Sequence, residues 1–267
     1  MKKLITIILM SVFFNTAFAE VKTTYYENGQ KEYERNYKDG TDIKHGLAIL
    51  WDENGQKKIE ANWKDGEKHG LATWWHENGQ KKSEANFKDD KMHGLLTGWH
   101  ENGKKKLEAN FKEGKEHGLW TGWHKNGKKE FEENWKDGKQ HGLVTVWHEN
   151  GQKEFEGNYK EGKEHGLWTG WYDNGKKSAE ENWKDGKQHG LWTGWHENGN
   201  KQYEINLKDG KPHGLGTGWH ENGQKESDGN YKDGKLHGLA AVWDENGRQS
   251  PAECFKNGIK VQISWCR

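Results

Sequence analysis

Histidine has the widest chemical reach of the residue types in this chain, and there are 15 of them in 267 residues. Nine stand in His-Gly pairs, as in His117-Gly118, and six directly follow a tryptophan (His76, His100, His124, His148, His196 and His220). Imidazoles could hold zinc, but that needs nitrogens about 2 Å from one ion. Equivalent histidines recur every 24 residues. If each interval is one β-hairpin, they stand about 10 Å apart, twice the strand spacing. No metal site is therefore expected. Each His-Gly imidazole is instead expected to brace its turn through the aspartate four residues earlier, as Asp65 with His69. Catalytic signatures are missing too: there is no G-x-S-x-G, H-E-x-x-H or Walker loop and no Cys-His nucleophile. The Glu-rich strands could offer paired carboxylates. Residues present in nine copies describe a scaffold, whereas an active site is normally unique. The expectation is no catalytic residue, no cofactor and no enzyme.

What positions these residues is a repeat. His-Gly recurs from His45 to His237 at a constant 24-residue interval; Leu follows each pair, and a Trp stands six residues after each histidine, from Trp51 to Trp243. An Asn-Gly dipeptide follows, and each unit closes on a run such as Asn134-Trp135-Lys136-Asp137-Gly138. Asn-Gly between alternating residues predicts a tight hairpin with φ > 0 at both centre positions. Lys-Asp-Gly-Lys-x-His-Gly predicts a longer turn. Strands are expected over segments such as Leu119 to His124 and Lys129 to Lys136. The fold class is then all-β: an elongated antiparallel meander of about ten 24-residue hairpin repeats. A lone hairpin is marginal in water, and stacked copies bury one another. In this reading His117, Gly118, Leu119, Trp123, Asn126 and Gly127 are structural.

Alternation assigns faces. Leu119, Thr121 and Trp123 share one, and Trp120 and Gly122 the other. In the following strand Phe131, Glu133 and Trp135 lie together, and this mostly apolar set is expected to match the Leu-Thr-Trp side. Specificity should lie where repeats differ, at the residue after Leu and the residue before Trp. There Trp74, Trp120, Trp168 and Trp192 each stand beside a small residue, as Trp120 beside Gly122. They either cover bare glycine backbone or, in addition, form an exposed aromatic row that anchors a ligand. These four are the candidate binding face.

The bulk numbers agree with an ordered, aromatic-held chain: residues counted as hydrophobic make up only 30%, yet there are 17 Trp, 8 Tyr and 8 Phe, with 36 Gly and 2 Pro. Residues 1–19 read as a secretory signal, with Lys2 and Lys3, an apolar stretch and Ala17-Phe18-Ala19 before the cut. The repeat domain is then 20–267, with a C-terminal cap at about 248–267. The expected location is exported: periplasm, cell surface or secreted. Without the leader, 40 basic residues face 42 acidic ones, interspersed, so neither nucleic acid nor strong membrane association is expected. In an exported protein Cys254 and Cys266 are expected to form a disulfide.

The repeated pattern, HGLWTGWHENG followed by Lys-rich strands and KDGK, resembles the bacterial MORN-repeat variant of YwqK-family antitoxin-like proteins, over roughly residues 25–258. The resemblance implies β-hairpins in an extended sheet and a protein-binding scaffold, antitoxin- or immunity-like in some members. The function expected is thus an exported, non-enzymatic repeat scaffold for protein–protein interaction. A cell-wall or carbohydrate-binding surface that takes a cell-surface glycan is the alternative.

Overall fold

The structure, a computed structural model, describes residues 20–266. The leader expected at 1–19 lies outside the described residues. The described chain is all-β and antiparallel, with one 3-10 turn at Ile263–Cys266 as its only helical element. It divides into two units, the first comprising residues up to 128 with 135–138 and the second 129–134 with residues from 139 on. In the first unit, consecutive strands pair from Glu20–Tyr25 through to Lys105–Lys112 and Gly118–Trp123. In the second, they pair from Lys139–Trp147 to Ile259–Val261. The meander of hairpins is as expected.

The turns exchange the roles that the dipeptides suggest. Asp-Gly makes the two-residue hairpin: Asp65 and Gly66 both have positive φ (50° and 94°) between the paired Lys64 and Glu67. That is the type I′ geometry, which matches the right-handed twist of the strands. Asn-Gly sits in a longer loop. Gly79 N donates to His76 O and His76 N to Gln80 O, and only Gly79 has positive φ. This is a type I turn closed by a glycine bulge, so the expectation of positive φ at Asn is corrected. Asn78 serves through its side chain, whose Oδ1 accepts Gln80 N at 3.0 Å.

His-Gly is not part of a turn at all. The strand begins two residues earlier, as in Lys163–Trp171, and the glycine lies inside it. Gly166 takes φ +78°, and the register slips between Glu156 and Asn158 on the partner strand. A residue with a Cβ is strained at that φ, which is why every copy is glycine. The asparagine of the preceding strand clamps this bulge: Asn182 Nδ2 donates to Leu191 O at 3.1 Å and Asn62 Nδ2 to Leu71 O at 2.9 Å.

Registers also correct the expected matching of faces. Val144 stands opposite Gly157 and Val146 opposite Phe155, while Leu143 faces Asn158 and Thr145 faces Glu156. The apolar set of the second strand therefore lies with the variable residues, not with Leu and Trp. Ala61, Ala72, Ala85, Ala109 and Val144 are buried on this variable side. On the other side the repeated leucines are exposed, Leu119 at 46% and Leu215 at 54%. The longer loop pairs Trp171 with Lys177, and a single-residue bulge at Ser178, inside the second strand, sets Gly170 opposite Ala179.

The C-terminal strands Glu253–Lys256 and Ile259–Val261 end the second unit, and Cys254 and Cys266 are disulfide-bonded there with Cα atoms 5.9 Å apart. Cys254 is fully buried.

Candidate binding face

Residues that repeat without change are occupied in joining one repeat to the next. His100 follows Trp99, and its Nε2 meets the Trp123 carbonyl at 2.7 Å; a carbonyl only accepts, so Nε2 carries the proton. His76, His148, His196 and His220 do the same to the carbonyls of Trp99, Trp171, Trp219 and Trp243, and Tyr172 substitutes its hydroxyl toward Trp195 at 2.6 Å. Most of the Asn-Gly asparagines reach the next loop, as Asn222 Nδ2 to Glu245 O at 2.8 Å.

The His-Gly imidazoles pair with acids, but not with those expected. His69 Nδ1 is 3.2 Å from Asp89, twenty residues on, and Asp65 belongs to His45 at 3.5 Å and Lys38 at 3.1 Å. The reason is the hairpin: its two-residue turn brings the next acid, not the previous one, beside the bulge. His117 lies 3.9 Å from Asp137 in the same arrangement. Gly118 has φ +74° and Gly127 +91°, Asn126 Oδ1 accepts Lys128 N at 2.8 Å, and Lys105 Nζ lies 5.8 Å from the Trp123 ring. The constant tryptophans form a ladder of this kind, each under a lysine that also bonds an acid three residues on, as Lys153 over Trp171 and Lys153 to Glu156 at 2.5 Å. Among the described residues no three ligating side chains converge on one point.

The four candidate tryptophans are half-buried rather than standing free. Trp74 tilts on Phe87 at 6.3 Å. Trp120 sits between Phe111 and Trp135, each 5.3 Å away, with its indole N–H on Asn110 O at 3.2 Å. In the second unit Trp168 stacks on Phe155 at 5.8 Å and meets Tyr159 edge-on at 5.2 Å; Trp192 meets Tyr203 edge-on at 4.7 Å. Indoles do cover bare backbone, but across strands rather than beside their own glycine. A Cβ on Gly157 would lie 2.1 Å from Trp168, whereas Gly194, next to Trp192, is covered by Tyr203.

Sequence reasoning missed the acids on this face. Glu181 is the direct cross-strand partner of both Trp168 and Trp192. Gln188 donates to its Oε2 at 2.5 Å, and Gln140 donates to the equivalent Glu133 at 2.7 Å. Burial, then the Glu181 charge, holds the Tyr203 phenol above its ordinary range; burial, then Glu164 and Glu133, does so for Tyr159. The signal was in the repeat: the middle of the second strand runs Ala61, Ala85, Ala109, Glu133, Gly157, Glu181, Ile205, Gly229. Beyond Tyr203 a trough of about 660 Å³ opens on the same face.

Fold and fixed residues define a β-hairpin repeat protein whose one-sided variation makes a face. The MORN repeat variant model matches residues 21–39, 44–65, 68–89, 92–113, 116–137, 140–161, 164–185, 188–209 and 212–233, and the chain belongs to this family. The MORN repeat model also matches 134–143, 182–191 and 228–240. Such repeats commonly serve as protein- or lipid-binding scaffolds and are generally non-catalytic. No curated protein matches the chain. A solved structure described as "Crystal Structure of TcdB2-TccC3" aligns with 84% of the chain at 10% identity and a TM-score of 0.16; the aligned part is 13% of that much longer chain. No helix among the described residues is long and apolar enough to cross a membrane.

Proposed function

We propose that this protein is an exported, non-catalytic scaffold that binds a protein partner on the variable face. The observation that carries this reading is the division of labour between residues. The constant His, Gly, Asn and Trp are engaged in turns, bulges and inter-repeat hydrogen bonds. The residues that change between copies gather on one face with the aromatic side chains. Large half-buried aromatics are the usual anchors of protein interfaces. The buried disulfide between Cys254 and Cys266 supports an oxidising location. Neutralising a toxin, as an antitoxin or immunity protein does, is one form this binding would take.

Cross-linking mass spectrometry on whole cells tests the reading. Wild type is expected to trap a defined protein partner, and the variant with Trp120, Trp168 and Trp192 all changed to Ser is expected to lose it. Circular dichroism monitors whether that variant keeps its sheet. Equal capture by both proteins sinks the reading. The second reading, a surface that stacks glycan rings, rests on the same indoles above a glycine-rich floor. Retention on purified wall glycans without any trapped protein would decide for it.

A further inference from the structure

The two units supply charge to their variable faces in opposite ways. In the first, the protein places its own cations on its rings: Lys44 Nζ is 4.3 Å from the centre of Trp63, the Arg35 guanidinium 4.3 Å from Tyr33, and Lys68 Nζ 5.3 Å from Phe87. Such contacts draw a cation to the negative face of the ring. In the second, the registers from Gly142 to Lys260 place Glu164, Glu181 and Glu253 on this face, with Lys260, opposite Phe255, as its cation. Among the described residues, no lysine or arginine stands over the rings of Tyr159, Trp168, Trp192 or Tyr203.

Glu253 is neutralised by Lys260 at 2.5 Å. Glu181 is not: its hydrogen-bond partner is the neutral amide of Gln188. Its neighbours across both strands are indoles, so an uncompensated carboxylate sits in an aromatic setting. A guanidinium or ammonium group satisfies both at once, by a charge-assisted hydrogen bond and by the ring faces. The trough lies alongside, between Trp192 and Tyr203 at one end and Phe255 at the other, with Gly216 and Gly229 in its floor. Gly216 occupies the place that Trp120, Trp168 and Trp192 fill in other repeats. Ile205 and Tyr231 close over Gly216 itself, so the trough is walled by apolar and aromatic side chains and is fit for a bulky apolar side chain.

We propose that the second unit's variable face binds an extended cationic segment of a protein partner, with a Lys or Arg head group on Glu181 between Trp168 and Trp192 and an apolar side chain in the trough. This rests on the scaffold reading and gives the partner its chemistry. The strand of Gly216 is three strands from that of Glu181, about 14 Å, and an extended chain rises about 3.3 Å per residue. The cationic and apolar residues of the partner segment are therefore about four positions apart.

The test uses the full chain and two acetylated, amidated pentapeptides, Arg-Ser-Ser-Ser-Phe and Glu-Ser-Ser-Ser-Phe, followed by the indole N–H resonances of Trp168 and Trp192. The Arg peptide is expected to shift both resonances, and the Glu peptide neither. Glu181→Gln, which preserves shape and a hydrogen bond to Gln188, should weaken the Arg peptide about tenfold, and Glu181→Lys should abolish its binding. Asp209→Asn removes the same charge from an exposed turn and should leave binding unchanged. The proposal is overturned by equal response to the two peptides, by Glu181→Gln binding as wild type, by shifts confined to other tryptophans, or by no response to either. If it fails while cross-linking still traps a partner through these tryptophans, the scaffold reading stands without it. Loss of the trapped partner is what removes that reading.

Discussion

The first unit and the second are built from the same 24-residue sentence, yet they fill the variable face differently. In the first, small residues run along the middle of the sheet, with Ala48, Ala61, Ala72, Ala85 and Ala109 all buried. Lys44, Arg35 and Lys68 lie over the aromatic rings beside them. In the second, the same positions hold Trp168, Glu181, Trp192 and Ile205, then a glycine floor at Gly216 and Gly229. One face carries its own cations at Tyr33, Trp63 and Phe87. The other leaves rings without a resident cation, a carboxylate with a neutral partner, and an unfilled trough. A repeat scaffold can vary its surface this much because turns, bulges and inter-repeat hydrogen bonds hold the strands without using those positions.

The largest test of this contrast concerns the end of the second unit. Cys254→Ser with Cys266→Ser opens a loop of sequence separation 12, and in the chain-entropy model such closure contributes about 3 kcal/mol. Hydrogen exchange is expected to quicken over Glu253–Val261 and its neighbour Lys235–Val242, while amides of the first unit keep their protection. Uniform loss of protection would mean that the chain unfolds as one.

Glycines give the next effect. Gly157→Ala places a methyl where the Trp168 indole lies, and overpacking of this sort costs about 1–3 kcal/mol. Gly98→Ala in the first unit meets nothing nearer than 3.6 Å and is expected to be neutral or slightly stabilising. Thermal melting with near-ultraviolet circular dichroism separates the two; equal costs would show that Trp168 is not held over Gly157.

Removing a resident cation is smaller still. Lys44→Met should cost about 0.5–1 kcal/mol, the range for an exposed cation over a ring, read as a lower melting temperature. No change would deny that the first unit's cations stabilise its face. Last, Tyr159 and Tyr203, like Tyr26, should ionise above the ordinary phenol value of 10.0 in an ultraviolet titration. Their folded values lie above the unfolded one, so this contribution is present below that pH and is lost as pH rises through the folded values. Glu181→Gln should bring Tyr203 back toward the ordinary range, since the Glu181 charge is one cause of its shift.

Much of this was readable beforehand. The 24-residue period, the hairpins and the disulfide between Cys254 and Cys266 follow from residue types and spacing. Backbone requirements for glycine and turn residues are local, and a repeat displays them nine times over. The partner of each histidine was misassigned because Asp65 is near His69 in sequence, whereas the hairpin turn brings Asp89 beside it.

The sequence by itself determined which residues share a face within each strand, because side chains alternate with period two. Only the tertiary structure decided which faces of neighbouring strands coincide. The longer loop pairs Trp171 with Lys177, and one extra residue, Ser178, then brings Gly170 opposite Ala179 and Trp168 opposite Glu181. That register puts the aromatic second strands on the side of Trp168 and Trp192, sets Glu181 between the two indoles, and leaves the constant leucines facing outward. Alternation is a property of one strand, but register belongs to the pair, and a single bulged residue is enough to flip it.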